Sequence, residues 1–321
     1  MTELRHHAVA VPATSANLGP GFDAFGLALD LHLAVRSRPP EAGAARVRTS
    51  GEGTDDLDGG DGNLVWRSLV AFCDEVGEPV PNVHLDARNE VPLERGLGSS
   101  SSAIVAGLTL GRALTGVPLG DRDLVVLADR LEGHPDNVAP ALLGGLVACA
   151  PGADGRLVVR RINPAPTLRV WALVPTHRQA TAAARAVLPT ELSRGDVVAQ
   201  ASRAGHVLAG LAGAWPIDPQ AAVDLLHEPS RLKVMEPSGR IIQGLREAGV
   251  HAWLSGAGPT VAATVPSGAT TAIARLHEIA EEADFVVRAC APQLSGAVAC
   301  PDDGCAFSGG TGCVQCPRRR V

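Results

Sequence analysis

The stretch Pro92–Gly107, "PLERGLGSSSSAIVAG", decides how the rest of the chain is read. Two glycines, Gly96 and Gly98, lead into four serines, Ser99 to Ser102, and then into an apolar run with helical spacing. The segment before it, "NVHLDAR" (82–88), reads as a strand. A glycine turn between strand and helix aims unpaired backbone N–H groups at one spot, and the helix dipole makes that spot attractive to anions. Glycine lets the backbone approach an anion closely, and the serine hydroxyls add donors that can reach phosphate or a metal. The lysine of the GxxxxGK[ST] loop is missing, and GxGxxG is absent from this stretch too. Lys233 is the single lysine of the chain. A mechanism that needs a lysine on phosphate therefore has only Lys233 to offer.

Working outward, period-two alternation marks strands at 5–11, ending at Pro12, at 27–37 and at 45–50. Helical spacing marks 63–77, 101–114 and 120–133, and residues 134–150 read as a loop, a helical turn and a strand. Further strands fall near 156–162 and 168–174. The chain is then mostly helical up to Leu245, with breaks at four prolines. "HAWLSGAGPTVAATV" (251–265) reads as strand, glycine turn and strand, 270–283 as an amphipathic helix and 284–291 as a last strand. Interleaved strands and helices over 321 residues imply an α/β or α+β protein, with a composition shift near 155–165 as a domain boundary. The last stretch, "PDDGCAFSGGTGCVQCPRRRV", is rich in turn formers and reads as a flexible tail.

Composition narrows the function. The net charge of −6 argues against nonspecific nucleic-acid binding. No apolar run is long enough to span a bilayer, and the N-terminal stretch lacks the apolar core of a signal peptide, so a cytoplasmic protein is expected. Of the seven cysteines, Cys73, Cys149 and Cys290 sit in apolar stretches and read as core. Cys300, Cys305, Cys313 and Cys316 could offer four thiolates to zinc, but their irregular spacing reads better as chance cysteines in a tail.

Two more glycine stretches join the first: "VPATSANLGPGFDAFGLAL" (11–29) and "LSGAGPT" (254–260). Each alone could be an ordinary loop or hairpin. Together and in order, "PATSANLGPGFD", "PLERGLGSSSSAIVAGL" and "LSGAGPTV" resemble the three signature motifs of the GHMP kinase family. The resemblance covers roughly residues 8–298. It implies an α+β, two-domain GHMP kinase fold: an N-terminal ATP-binding domain like domain 2 of ribosomal protein S5 over 1–160, a ferredoxin-like C-terminal domain over 161–299, and the tail 300–321. "ATSANLGPGFD" and "EGHPDNVAPALLGG" (132–145) are closest in wording to the members that phosphorylate homoserine.

The resemblance also implies roles. Pro92, Arg95, Gly96, Leu97, Gly98, Ser99, Ser100, Ser101 and Ser102 form the ATP loop. Ser100 and Glu132 bind Mg²⁺, with Ser99 or Ser101 as alternatives to Ser100. Arg185 in "TAAARAVLP" and Arg231 in "LHEPSRLKV" grip the acceptor carboxylate; family members usually carry tyrosine where Ser230 stands, and this chain has no tyrosine at all. Asn17, Asp23, His134, Asp136 and Asn137 match the acceptor-site residues, with Asp136 and Asn137 orienting the hydroxyl. Homoserine-phosphorylating members work without a strong general base, which a loose phosphoryl transition state permits. Members are often dimers, which implies a homodimer here. The competing readings are another GHMP kinase, acting on mevalonate, shikimate or a sugar, and a family member that binds ligand without turnover.

Overall fold

The computed structural model describes residues 6–177, 181–265 and 268–301. Two sheets organise it. The first contains β1 (His7–Ala16), β2 (Phe25–Arg38), β3 (Val47–Gly51), β4 (His84–Asn89), β5 (Leu146–Pro151), β6 (Leu157–Ile162) and β11 (Val298–Pro301). Its order is β11-β1-β2-β4-β3; β5 also pairs with β2, and β6 with β5. Strand β2 has 14 residues, long enough for its Leu33–Arg38 end to pair with β4 while its Phe25–Leu27 end pairs with β5.

Four helices cover one face of this sheet: α1 (Leu64–Val76), α2 (Ser99–Thr115), α3 (Asp121–Glu132) and α4 (Pro135–Leu143). Val9, Val11, Val35, Leu85, Val105, Leu108 and Val138 meet in the core between them. Removing this apolar surface from water is the main force holding the layer together.

The second sheet is antiparallel in the order β10-β7-β9-β8, with β7 (Val170–Pro175), β8 (His251–Leu254), β9 (Val261–Thr264) and β10 (Phe285–Cys290). Helices α5 (Thr181–Ala186), α6 (Arg194–Leu211), α7 (Glu228–Val234) and α8 (Glu236–Glu247) lie between β7 and β8 in the chain, and α9 (Thr270–Glu282) between β9 and β10. With α5–α8 counted as one crossover, this is the β-α-β-β-α-β arrangement of a ferredoxin-like domain. The whole is the two-domain α+β architecture expected from the sequence. Leu27 and Leu29 of the first sheet share a core with Val170, Ala172 and Ala262 of the second, so the halves pack as one body.

Two details depart from the sequence reading. Strand β1 does not stop at Pro12: the register shifts between Pro12 and Ala13, and pairing resumes to Ala16. Proline has no N–H to give a ladder, and a bulge is where a sheet can hold it. The extra strand β11 returns the chain to the first sheet, pairing His7 to Ala10 with Pro301 to Val298, and buries Cys300. Cys305, Cys313 and Cys316 lie outside the described residues.

Candidate active site

The glycine stretches converge because their backbones bind one another. Thr14 N–H donates to the Leu97 carbonyl at 3.1 Å, Gly256 N–H to Ala16 at 3.2 Å, and Thr260 N–H to Arg95 at 3.3 Å. A buried hydroxyl chain reinforces them. Trp253 Nε1–H donates to Ser15 Oγ at 3.0 Å, Ser15 Oγ and Ser255 Oγ are 2.8 Å apart, and Ser255 Oγ–H donates to the Gly96 carbonyl at 2.6 Å. Gly96 has φ +78° and so little room that a Cβ would stand 2.2 Å from the Ser255 carbonyl oxygen.

Between them lies an open polar cleft. Of the expected ATP-loop residues, Gly96, Gly98, Ser99, Ser100 and Ser101 line it. The N-cap of α2 is Gly98, so no side chain occupies the first amides of a 17-residue helix and they stay free for a ligand. Pro92, Arg95, Leu97 and Ser102 are not among the lining residues. Leu97 is buried in the core between the sheets. Ser102 is buried and donates to the Pro12 and Gly98 carbonyls. Arg95 spends its guanidinium on the carbonyls of Leu93, Pro175 and Thr176, tying the loop to the end of β7.

Opposite the serines, α3 ends at Glu132 because Gly133 takes the left-handed C-cap, φ +90°. Glu132 accepts from Ser100 Oγ at 2.7 Å and from Ser101 Oγ at 2.9 Å. His134 then caps α4, and Pro135 opens it. Gly26 on β2 lets this helix start approach the sheet: a Cβ there would be 1.8 Å from the Asp136 carbonyl oxygen. Asp136 and Asn137 are thereby set at the floor of the cleft. Asp136 Oδ1 is 2.8 Å from His134 Nδ1 and 3.4 Å from Asn137 Nδ2, while Asn137 Oδ1 accepts from Thr14 Oγ1 at 2.7 Å. Burial lowers the His134 pKa, but the hydrogen bond and charge of Asp136, with Glu132 beyond, outweigh it and leave the value raised.

The loop Asn17–Asp23 closes another side. Asn17, Leu18 and Asp23 have positive φ, a conformation Asn and Asp tolerate far better than Leu. Asn17 uses its amide within the structure: Nδ2 donates to the Gly256 carbonyl at 2.7 Å and Oδ1 accepts from Asp23 N–H. Asp23 and Arg185 form a bidentate pair at 2.8 and 3.0 Å, which raises the Arg185 pKa. Arg231, only 2 % exposed, donates Nε to the Ala184 carbonyl and Nη1 to the Gly256 carbonyl, both at 3.0 Å. Its Nη2 has no hydrogen-bond partner among the described residues, although Arg231 lines the cleft. Burial, then the charge of Arg185, pull its pKa down to about 10, so it stays cationic at neutral pH.

Two features escaped the sequence reading. Phe22 stands 5.7 Å from the Arg185 guanidinium and 5.3 Å from that of Arg231, an aromatic face shared by both cations. Ser230 contributes no such face; an aromatic residue between Gly21 and Asp23 in "GPGFD" was the available signal. A second cavity adjoins the first through Glu94, Ser99 and Ser100, and Leu57, Leu64, Val65, Leu93 and Ala103 are among its lining residues. Its walls come from many separate segments between Leu33 and Ala103, so no local motif announces it.

The cleft thus sets the open N-terminus of α2 and Glu132 opposite Asp23, Asp136, Arg185 and Arg231. The family description "GHMP kinases N terminal domain" matches residues 63–145, and "GHMP kinases C terminal" matches 217–290. The chain belongs to the GHMP kinase family. It is 42 % identical over 258 residues to the homoserine kinase of Moorella thermoacetica, covering 79 % of this chain and 86 % of that one. It is 40 % identical over 259 residues to the homoserine kinase of a Synechococcus strain, covering 79 % and 84 %. A crystal structure of homoserine kinase from Cytophaga hutchinsonii shares the fold, with a TM-score of 0.78 at 24 % identity, covering 94 % of this chain and 99 % of that one.

Proposed function

We propose that this protein transfers the terminal phosphoryl group of ATP to the side-chain hydroxyl of L-homoserine, giving O-phospho-L-homoserine and ADP in threonine biosynthesis. The observation that carries the reading is the single cleft in which the open N-terminus of α2 faces Arg185, Arg231, Asp23 and Asp136. ATP as phosphoryl donor follows from the family.

We assign the phosphates to the first amides of α2 with Ser99–Ser101, and the adenine to the adjoining apolar cavity. The Ser100, Ser101 and Glu132 oxygens make an all-oxygen, singly anionic donor set, which suits Mg²⁺ shared with phosphates. We therefore assign Mg²⁺ to Ser100 and Glu132, where it would neutralise charge on the phosphate oxygens.

On the acceptor side, the unspent Nη2 of Arg231 and the partly exposed Arg185 receive the carboxylate. As Arg185 turns to the carboxylate, Asp23 is released to take the ammonium. Asp136, held by His134 and Asn137, accepts the hydroxyl proton in a hydrogen bond and aims the oxygen. A bond forms from that oxygen to the γ-phosphorus as the bond to the ADP oxygen breaks. Little deprotonation is needed before attack in a loose transition state. ATP binding falls to residues 1–160 and much of the carboxylate grip to 161–299. No helix among the described residues is long and apolar enough to cross a membrane; a cytoplasmic homodimer without nucleic-acid partners remains our expectation.

The test is magnesium-dependent ADP release with L-homoserine, mevalonate, shikimate and galactose offered separately. Release with homoserine alone is expected. Release only with another acceptor would overturn the acceptor assignment, and release with none would leave a binding protein without turnover.

A further inference from the structure

His227 belongs to no role assigned so far, yet its fully buried ring bridges two parts of the acceptor site. Its Nδ1 lies 3.3 Å from Arg231 Nη1, and its Nε2 lies 3.3 Å from the Gly19 carbonyl oxygen. A guanidinium has only donors, so Nδ1 must be bare. A carbonyl only accepts, so Nε2 must carry the proton. The surroundings therefore admit one neutral tautomer; a doubly protonated ring would turn a donor toward a cation.

The neighbours keep it there. Asp224 Oδ1 is 3.8 Å from Nε2, but the carboxylate is already engaged. Its Oδ2 accepts the backbone N–H groups of Leu226, His227 and Glu228 at 2.7 to 3.0 Å, and its Oδ1 accepts from Gln200 at 2.6 Å. Phe22 stacks on the imidazole with centroids 5.3 Å apart, and the same Phe22 faces Arg185 and Arg231. Gln200 in turn donates to the Pro20 carbonyl, beside Gly19. The ring thus ties the guanidinium of Arg231 to the loop that carries Asn17 and Asp23.

We propose that His227 is a positioning residue for the acceptor carboxylate. Its bare Nδ1 fixes the Arg231 guanidinium with Nη2 toward the cleft, and its Nε2–H pins the Gly19 carbonyl so that Asp23 stays in register with that cation. The proposal rests on the homoserine reading above for its substrate, but its hydrogen-bond pattern stands independently.

Two substitutions separate the two ring nitrogens. In His227→Asn the amide oxygen takes the place of Nδ1; in His227→Gln the amide nitrogen takes the place of Nε2. His227→Gln should raise KM for homoserine about tenfold, the loss of a hydrogen bond to a buried cation, with KM for ATP and kcat within about twofold. His227→Asn should recover most of that loss. Equal change in both KM values and kcat, no change in KM for homoserine, or better function in His227→Gln than in His227→Asn would each overturn the proposal. Should neither variant fold, or should homoserine prove not to be the acceptor, ¹⁵N NMR of the wild-type imidazole decides. A bare Nδ1 and protonated Nε2 at neutral pH, assigned through the His227 backbone correlations, are expected; a protonated Nδ1 would sink it.

Discussion

At one end of the cleft, Gly96, Gly98 and the first turn of α2 present backbone from a single stretch of chain. At the other, Asp23, Arg185 and Arg231 meet as side chains from three separate segments, with His227 behind Arg231. The first kind of site cannot change partners: its donors are held by helix geometry and by contacts such as Ser255 to the Gly96 carbonyl. The second kind can. The Asp23–Arg185 pair is about one-third exposed on each side, so exchanging it for a ligand's carboxylate and ammonium costs little. A nucleotide needs a fixed cradle for in-line transfer; a small zwitterion needs charges that become available as it arrives.

The largest effect should come from breaking the backbone end. In Gly96→Ala the new Cβ meets the Ser255 carbonyl oxygen at 2.2 Å, and the residue must hold a left-handed φ. Its nearest neighbours are the Ser255 and Gly258 backbones, not flexible side-chain tips, so the loop must move. We expect kcat/KM for ATP to fall by at least about a hundredfold, since misplacement of about 1 Å can cost that much. A change below threefold in steady-state kinetics would show that the loop is not the rigid element described here.

Arg231→Lys probes the side-chain end. Lysine keeps the charge but cannot hold the Ala184 and Gly256 carbonyls and still present a planar edge to the cleft. Losing a charge-assisted hydrogen bond of about 1.5–3 kcal/mol predicts a fall of about 10- to 150-fold in kcat/KM for homoserine. KM for ATP should stay within about twofold. If both substrates suffered equally, the two ends would not be separable.

Asp136→Asn asks whether the floor between the two ends supplies a base or an orientation. The amide keeps an acceptor for the hydroxyl, although the partnership with His134 weakens. We expect kcat to fall by about tenfold, whereas removal of an essential base costs on the order of 10²–10⁴-fold. A loss in that upper range, measured by rapid-quench turnover, would make Asp136 a base.

The same contrast explains what could be read before the structure. The backbone end was legible because glycines at positive φ and a serine-rich helix start are local necessities written in adjacent residues. Arg185, Arg231, Asp23 and Asp136 were reached only through resemblance of their surroundings to family wording. His227 and Phe22 were passed over, since a histidine four residues before an arginine on a short helix has no pattern of its own. Strand β11 was missed because four residues after a proline-containing turn carry too little alternation to stand out. The bulge at Pro12 hid the second half of β1 for a physical reason: proline ends most strands, and only the tertiary pairing with β2 shows that this one continues.

The smallest effect at neutral pH should come from behind the loop. His251 is buried and stacks on Trp253 at 4.9 Å. Burial, then the charge of Arg246, lower its pKa from 6.5 to about 3. The unfolded chain therefore binds a proton below pH 6.5 that the folded chain refuses until about pH 3. Folding stability is unaffected above that window and falls within it as pH drops, by up to about 1.4 kcal/mol per pH unit. His251→Phe keeps the stack and removes the titration. Between pH 7.5 and pH 5 the wild type should lose about 2 kcal/mol more than the variant in urea unfolding. The remaining histidines titrate in both proteins, so parallel losses would mean that His251 takes up its proton in the folded state, and that the wall behind Gly19 is wetter than its packing implies.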